Sequence, residues 1–183
     1  MLKKEWTSHL EFISKEISGK LKIIHRPSFG ASVEYFPAQL SFGYKGNDII
    51  IEQLFTQRDY ENFEVGSIYL TYEFENRFDF YLYLYERAFL DKLFNRKRIK
   101  TGFATFDNMF SLKSNDEKLA RKIFSNMDLL NQFLSNRSLI INISSKNRLT
   151  IIKMKDLEAK LYSKTEYLGL LKNIKFIIDS IIE

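Results

Sequence analysis

Tyr81, Tyr83 and Tyr85 stand at alternate positions, and Tyr69 stands on the apolar stretch before them. Alternation by two puts strand side chains on one face. Tyrosine offers a flat, amphipathic ring with few torsions to freeze, which suits stacking on a base, a sugar or a peptide. The competing structural reading has helices covering that face, with the hydroxyls reaching water at its rim. A second group follows in "NRKRIK", where Arg96, Lys97 and Arg98 precede Lys100. Cations beside aromatics could neutralise phosphate and hold single-stranded nucleic acid. The RNA-recognition signature of interleaved Gly and Phe is absent, and cations in a loop are ordinarily just solvated.

Catalytic chemistry has fewer residues to work with. No phosphate-binding glycine loop and no Gly-x-Ser-x-Gly is present. His9 and His25 sit on different elements without metal-ligand spacing, so no metal and no cofactor is expected. Asp79 and Asp107 each follow a phenylalanine. A carboxylate pair would need opposite pKa shifts in one cleft to act as acid and base. Thr101, Asp107 and Asn108 instead read as turn residues that bond their own backbone. The chain is therefore expected not to be an enzyme.

The elements that must carry these residues are legible in the hydrophobic pattern. Trp6, Leu10, Ile13 and Ile17 mark an amphipathic helix ending near Gly19. "KLKIIH" and "ASVEYF" read as strands, and "QLSFGYKGNDIIIEQLF" as a hairpin turning at Lys45-Gly46-Asn47-Asp48. "QRDYENFE" reads as a polar connection. In "SIYLTYEFENRFDFYLYLYE", Ile68, Leu70, Tyr72 and Phe74 alternate with polar positions, as do Phe78, Phe80, Leu82 and Leu84. This predicts a hairpin turning at Glu75-Asn76-Arg77. Pairing Phe74 with Phe78 puts the apolar sets on one face, the tyrosines on the other, and Glu73 opposite Asp79.

"RAFLDKLFNRKRIK" reads as a helical turn opening into a basic loop, and "FSLK" as a strand. Ser114 and Glu117 have capping-box spacing, before a helix with Leu119, Ala120, Ile123 and Phe124. A short helix with Leu129, Leu130, Phe133 and Leu134 follows. "SLIINIS" and "RLTIIKM" then form a hairpin turning at Ser145-Lys146-Asn147. Ser163 and Glu166 repeat the capping box before a last helix that buries Tyr167, Leu170, Leu171, Ile174, Ile177, Ile178 and Ile181. The predicted architecture is α+β, in a single domain over residues 1–183. A mainly antiparallel sheet of six to eight strands carries N-terminal, middle and long C-terminal helices.

Composition agrees with a folded domain. Of 183 residues, 45% are hydrophobic and 28% charged, and Gly and Pro number only 7 and 2, so long irregular loops are not expected. With no cysteine there is no disulfide and no thiolate chemistry, which fits a reducing compartment. No stretch approaches the roughly 18–20 uninterrupted apolar residues of a membrane helix, so a cytoplasmic location is expected. The net charge of +5 permits an anionic partner without demanding one.

Thr101-Gly102, Phe106-Asp107 and Phe110, followed by a polar break and a helix with Ala120, form the most patterned stretch. It resembles uncharacterised bacterial proteins of unknown function, in which a TG-x-x-x-FD-x-x-F pattern precedes a strand and a helix in the soluble part of membrane-associated chains. The resemblance covers about a third of the chain and brings no catalytic residues and no membrane segment. It implies a shared structural corner, with Phe106 and Phe110 anchored in the core and Gly102 allowing the turn.

The residues point to a binding or interaction domain of adaptor, immunity or regulatory type. Its partner is expected to be a protein or peptide, a second copy of the chain included, met through the tyrosine face or an exposed strand edge. The alternatives are a carrier of a hydrophobic small molecule, suggested by the 17 phenylalanines, and a weak single-stranded nucleic-acid binder.

Overall fold

Apolar residues alternate with polar ones along most of the strands, which requires a sheet with one buried and one open face. The computed structural model describes residues 3–16, 18–24, 26–27, 34–35, 37–57, 63–76, 78–88, 98–158, 160 and 162–182. The strands are β1 (Lys20–Ile23), β2 (Arg26–Pro27), β3 (Glu34–Tyr35), β4 (Ala38–Tyr44), β5 (Asn47–Gln57), β6 (Phe63–Glu75), β7 (Tyr81–Glu86), β8 (Phe110–Ser114), β9 (Leu139–Lys146) and β10 (Leu149–Asp156). The helices are α1 (Lys3–Glu16), α2 (Ala104–Met109), α3 (Glu117–Ile123), α4 (Met127–Ser135) and α5 (Lys164–Ile182). All named strand pairs are antiparallel, and the sheet runs β1-β4-β5-β6-β10-β9-β7-β8, with the two-residue strands β2 and β3 off this path. The α+β reading holds. Among the described residues, no helix is long and apolar enough to cross a membrane.

Two hairpins form where backbone chemistry allows the tightest reversal. Lys45 and Gly46 both take positive φ between Tyr44 and Asn47, and Asn147 and Arg148 do the same between Lys146 and Leu149. Paired left-handed residues match the twist of the flanking strands. The second turn therefore sits just beyond the predicted Ser145-Lys146-Asn147. At the end of α1, Ser18 rather than Gly19 takes positive φ, and the Gly19 N–H closes onto the Ser14 carbonyl at 2.8 Å.

The predicted hairpin of β6 with β7 is wrong. The hairpin of β9 and β10 lies between them, so Glu73 pairs with Ile151 and not with Asp79. The connection crosses the end of that inserted hairpin: the Asn76 N–H donates to the Arg148 carbonyl at 2.7 Å, and the Ser145 N–H to the Phe80 carbonyl at 2.8 Å. Phe78 lies on this crossing, exposed, outside the apolar set it was expected to join. β6 also begins at Phe63, earlier than the polar connection suggested.

One sheet face carries the core. Leu40, Ile51, Leu70, Met154, Ile141, Leu84 and Leu112 are buried along one transverse row. α5 buries all seven of its predicted residues. Its start is a complete capping box: the Ser163 N–H donates to Glu166 Oε2 at 2.8 Å, and the Glu166 N–H to Ser163 Oγ at 3.3 Å. Before α3 the capping residue is Asp116, whose Oδ1 accepts from the Leu119 N–H at 2.9 Å, and not Ser114. Near the far end of α5, Asp179 accepts from the Tyr44 hydroxyl at 2.9 Å and pairs with Lys45 at 2.7 Å. Burial alone would raise the Asp179 carboxyl. The bonds from Lys45 and Tyr44 and the charges of Lys45 and Lys175 outweigh it and hold the carboxyl below its ordinary range.

The register of β5 against β6 shifts between Gln53 and Phe55, so that Gly66 and Ser67 of β6 form a bulge opposite Leu54. At Gly66 an added Cβ would stand 2.8 Å from the Leu54 carbonyl oxygen. Gly66→Ala is therefore expected to destabilise by about 1–3 kcal/mol, as overpacking against backbone does. Thermal unfolding followed by circular dichroism should show a drop of about 2–4 °C per kcal/mol. An unchanged midpoint would mean that the bulge relaxes without cost.

Candidate interaction face

The second face of the sheet carries no helix among the described residues, and it is where the tyrosines stand. β7 alternates strictly: Leu82 and Leu84 are buried, while Tyr81 and Tyr83 are 50% and 38% exposed. Tyr85 is half-buried, its ring 4.9 Å from that of Tyr83 and 5.5 Å from the Lys113 ammonium. Tyr69, 39% exposed, projects from β6 on the same face with the Lys155 ammonium 4.7 Å above its ring. β10 and β9 separate it from the β7 tyrosines. At about 4.8 Å per strand that places it roughly 14 Å away. The four residues share a face without forming one cluster.

Strand register identifies what lies between them. One transverse row reads Ile50, Thr71, Lys153, Asn142, Tyr83, Lys113. The next, on one side, reads Glu73, Ile151, Ser144, Tyr81, and on the other Glu52, Tyr69, Lys155, Ile140. Ile50 and Leu149 are exposed, and Ile140 and Ile151 are half-buried, so an apolar band of aliphatic residues runs beside the tyrosines. These aliphatic residues and the lysines of β10 were missed by the sequence reading. Their signal was the alternation Leu149, Ile151, Lys153, Lys155, visible only once β10 is known to sit between β6 and β9.

Charge divides this face in two. Asp48, Glu52, Glu73 and Glu75 lie on β5 and β6, whereas Lys146, Lys153, Lys155 and Lys113 lie on β9, β10 and β8; Lys20 and Lys22 of β1 add two cations at the rim beyond the acidic strands. Among the described residues, Glu73, Glu75, Lys146 and Lys153 enter no ion pair.

The basic cluster does not join this face as a set. Arg96 and Lys97 lie outside the described residues. Arg98 is half-buried and donates to the carbonyls of Asp107 and Phe110, where it closes the corner. Asp107 accepts from the Thr101 N–H at 2.9 Å, the Thr101 hydroxyl at 2.9 Å and the Gly102 N–H at 3.1 Å. Gly102 takes φ +95°, and Phe106 and Phe110 are buried and stacked at 4.9 Å. Those bonds are the local turn chemistry that the sequence suggested. Asp79 is exposed on the crossing after β6. His9 donates from Nε2 to the Tyr162 carbonyl at 2.8 Å, and burial lowers its pKa. His25 lies outside the described residues.

The edges of the sheet are partly guarded. β1 is short and carries Lys20 and Lys22, a usual deterrent to strand addition. β8 is bridged on its outer side by Ile99, whose N–H donates to the Leu112 carbonyl at 2.9 Å. Among the described residues, the open face thus carries more exposed aromatic and aliphatic side chains than either edge. No family model, no curated protein and no solved structure matches this chain.

Proposed function

We propose that this chain is a non-enzymatic binding domain that docks a folded protein on the open face of its sheet. The observation that carries this is the exposure of Tyr69, Tyr81 and Tyr83 beside Ile50 and Leu149 on a face that no helix covers among the described residues. Single exposed apolar residues are ordinary, but several on one face mark an interaction site. Tyrosine is also, with tryptophan and arginine, among the residue types enriched where such interfaces draw most of their binding energy. The mixed charge selects among partners. Phosphate backbones require a uniformly positive track, and Asp48, Glu52, Glu73 and Glu75 break it. A carrier role is less favoured, because Phe106, Phe110, Phe124 and Phe133 fill the space between β8 and the helices with their own rings.

A photoreactive benzophenone amino acid placed at position 83 should give a protein adduct in cells. The same group at position 127, exposed on α4, should not. Tyr81→Ala in the same chain should cut the adduct yield at least tenfold, as expected if the tyrosine contributes about 2 kcal/mol. A nucleic-acid adduct at position 83, equal labelling at both positions, or indifference to Tyr81→Ala would each remove this reading.

A further inference from the structure

We infer that the partner of the open face is a second copy of this chain, stacked face to face about a two-fold axis that runs along the strands between β6 and β10. The inference rests on the interaction face proposed above and adds the identity of what covers it. A two-fold interface presents the same patch on both sides, so the patch must complement itself. Rotation about an axis parallel to the strands exchanges the two halves of the sheet. It lays β6 on the partner's β10 and β5 on the partner's β9.

The acidic half, with Glu52 and Glu73, then lies over the basic half, with Lys153 and Lys155. Charges that find no ion pair within one chain gain partners over the central strands β5, β6, β10 and β9, where the field between the copies is attractive; only at the rim do Lys20 and Lys22 of β1 come over the partner's β8 with Lys113. The apolar band is placed consistently. Ile151 adjoins the axis and Ile140 lies one strand further out; they would sit opposite the aliphatic stems of the partner's Glu73 and Glu52 and beside its Ile50 and Tyr69, in the manner of two aligned sheets packed about 10 Å apart.

The area is sufficient. Eight strands about 4.8 Å apart span roughly 34 Å, and all but the shorter edge strands β1 and β8 run for about 20 Å or more, giving roughly 600 Å² in projection. A specific interface needs about 800 Å² of accessible surface per partner, and accessible area exceeds projected area. A surface of one sign would repel its own copy. This face does not, although the chain as a whole carries +5.

The test is a charge exchange read by sedimentation and native mass spectrometry. Wild type should dimerise below about 100 µM, and its dimer should weaken as salt rises. Lys153→Glu with Lys155→Glu, and separately Glu52→Lys with Glu73→Lys, should each weaken the homodimer about 100-fold, as like charges come to face each other. An equimolar mixture of the two variants should recover a one-to-one heterodimer. Ile140→Thr with Ile151→Thr, on the same face, gives a second disruption that leaves both charged halves as they are. Circular dichroism establishes that every variant is folded. A monomeric wild type overturns the inference, as does a dimer indifferent to these changes or a mixture that stays monomeric. The wider reading is judged apart from it. A position-83 adduct with a different protein preserves the binding domain and removes the self-association.

Discussion

Replacing Asp156 by alanine should cost on the order of 3–5 kcal/mol, a large part of the roughly 5–15 kcal/mol that holds a domain folded. Its carboxylate is fully buried at the end of β10. It accepts from the Asn136 amide, the Ser138 hydroxyl, the Tyr162 hydroxyl and, at 2.9 Å, the Glu158 N–H. These donors come from the residue after α4, from the residue before β9 and from the chain leading into α5. One side chain therefore ties three elements to the sheet. Truncation leaves the buried Tyr162 hydroxyl without its acceptor, and each stranded donor costs about 1–3 kcal/mol before water or local shifts recover part of it. With a urea slope of about 2 kcal/mol/M, the midpoint should fall by roughly 1.5–2.5 M. Asp156→Asn should lie between, since it keeps one acceptor oxygen and turns an amide nitrogen toward the other donors. Equal midpoints for all three proteins would show that solvent already serves this site.

Asp156 also shows what the sequence hid. In "KMKDLEAK" it looks like a strand-end aspartate, and nothing nearby announces Asn136, Ser138 and Tyr162 as its partners. Local signals fared better. The Ser163–Glu166 box, the hairpin reversal within Lys45-Gly46-Asn47-Asp48, though its turn is Lys45-Gly46 and not Gly46-Asn47, and the anchored Phe106 and Phe110 were all legible, because each depends on residues within a few positions. Face assignment was legible too. Tyr69, Tyr81 and Tyr83 share an open face, and Leu70 and Leu82 the buried one, because period-two alternation fixes the face whichever strand lies alongside.

Adjacency was not legible. Adjacent strands in sequence usually pair, and Glu75-Asn76-Arg77 had turn composition, so β6 and β7 looked like a hairpin. The crossing from Glu75 to Tyr81 is long enough to pass two strands: six steps of about 3.3 Å reach roughly 20 Å, against roughly 14 Å needed. No local residue reports that β9 and β10 take the gap. That insertion brings Lys153, Lys155, Ile140 and Ile151 between the tyrosines. It turns what looked like one aromatic patch into a broad face with two charged halves.

Phe106→Ala should be the other severe change, and it bears on the same face from behind. The Phe106 ring stacks on Phe110 at 4.9 Å and meets Phe124 at 5.6 Å and Phe133 edge-on at 6.3 Å. All four are buried, so truncation opens a cavity that the neighbours cannot close, at about 3–5 kcal/mol. The rings join α2, β8, α3 and α4, and β8 is the strand that flanks β7. Loosening the cluster should release β8 first. Hydrogen exchange in Phe106→Leu should therefore rise over residues 110–114 and 81–86, while β5 and β6 keep their protection. Asp107→Asn, by contrast, disturbs only bonds to Thr101 and Gly102, and should shift stability by about 1 kcal/mol. A large loss at Phe106 with a small one at Asp107 is what a structural corner requires. If exchange rose evenly across the sheet instead, the aromatic cluster would be part of one cooperative core and not the local anchor of the strands that carry Tyr81 and Tyr83.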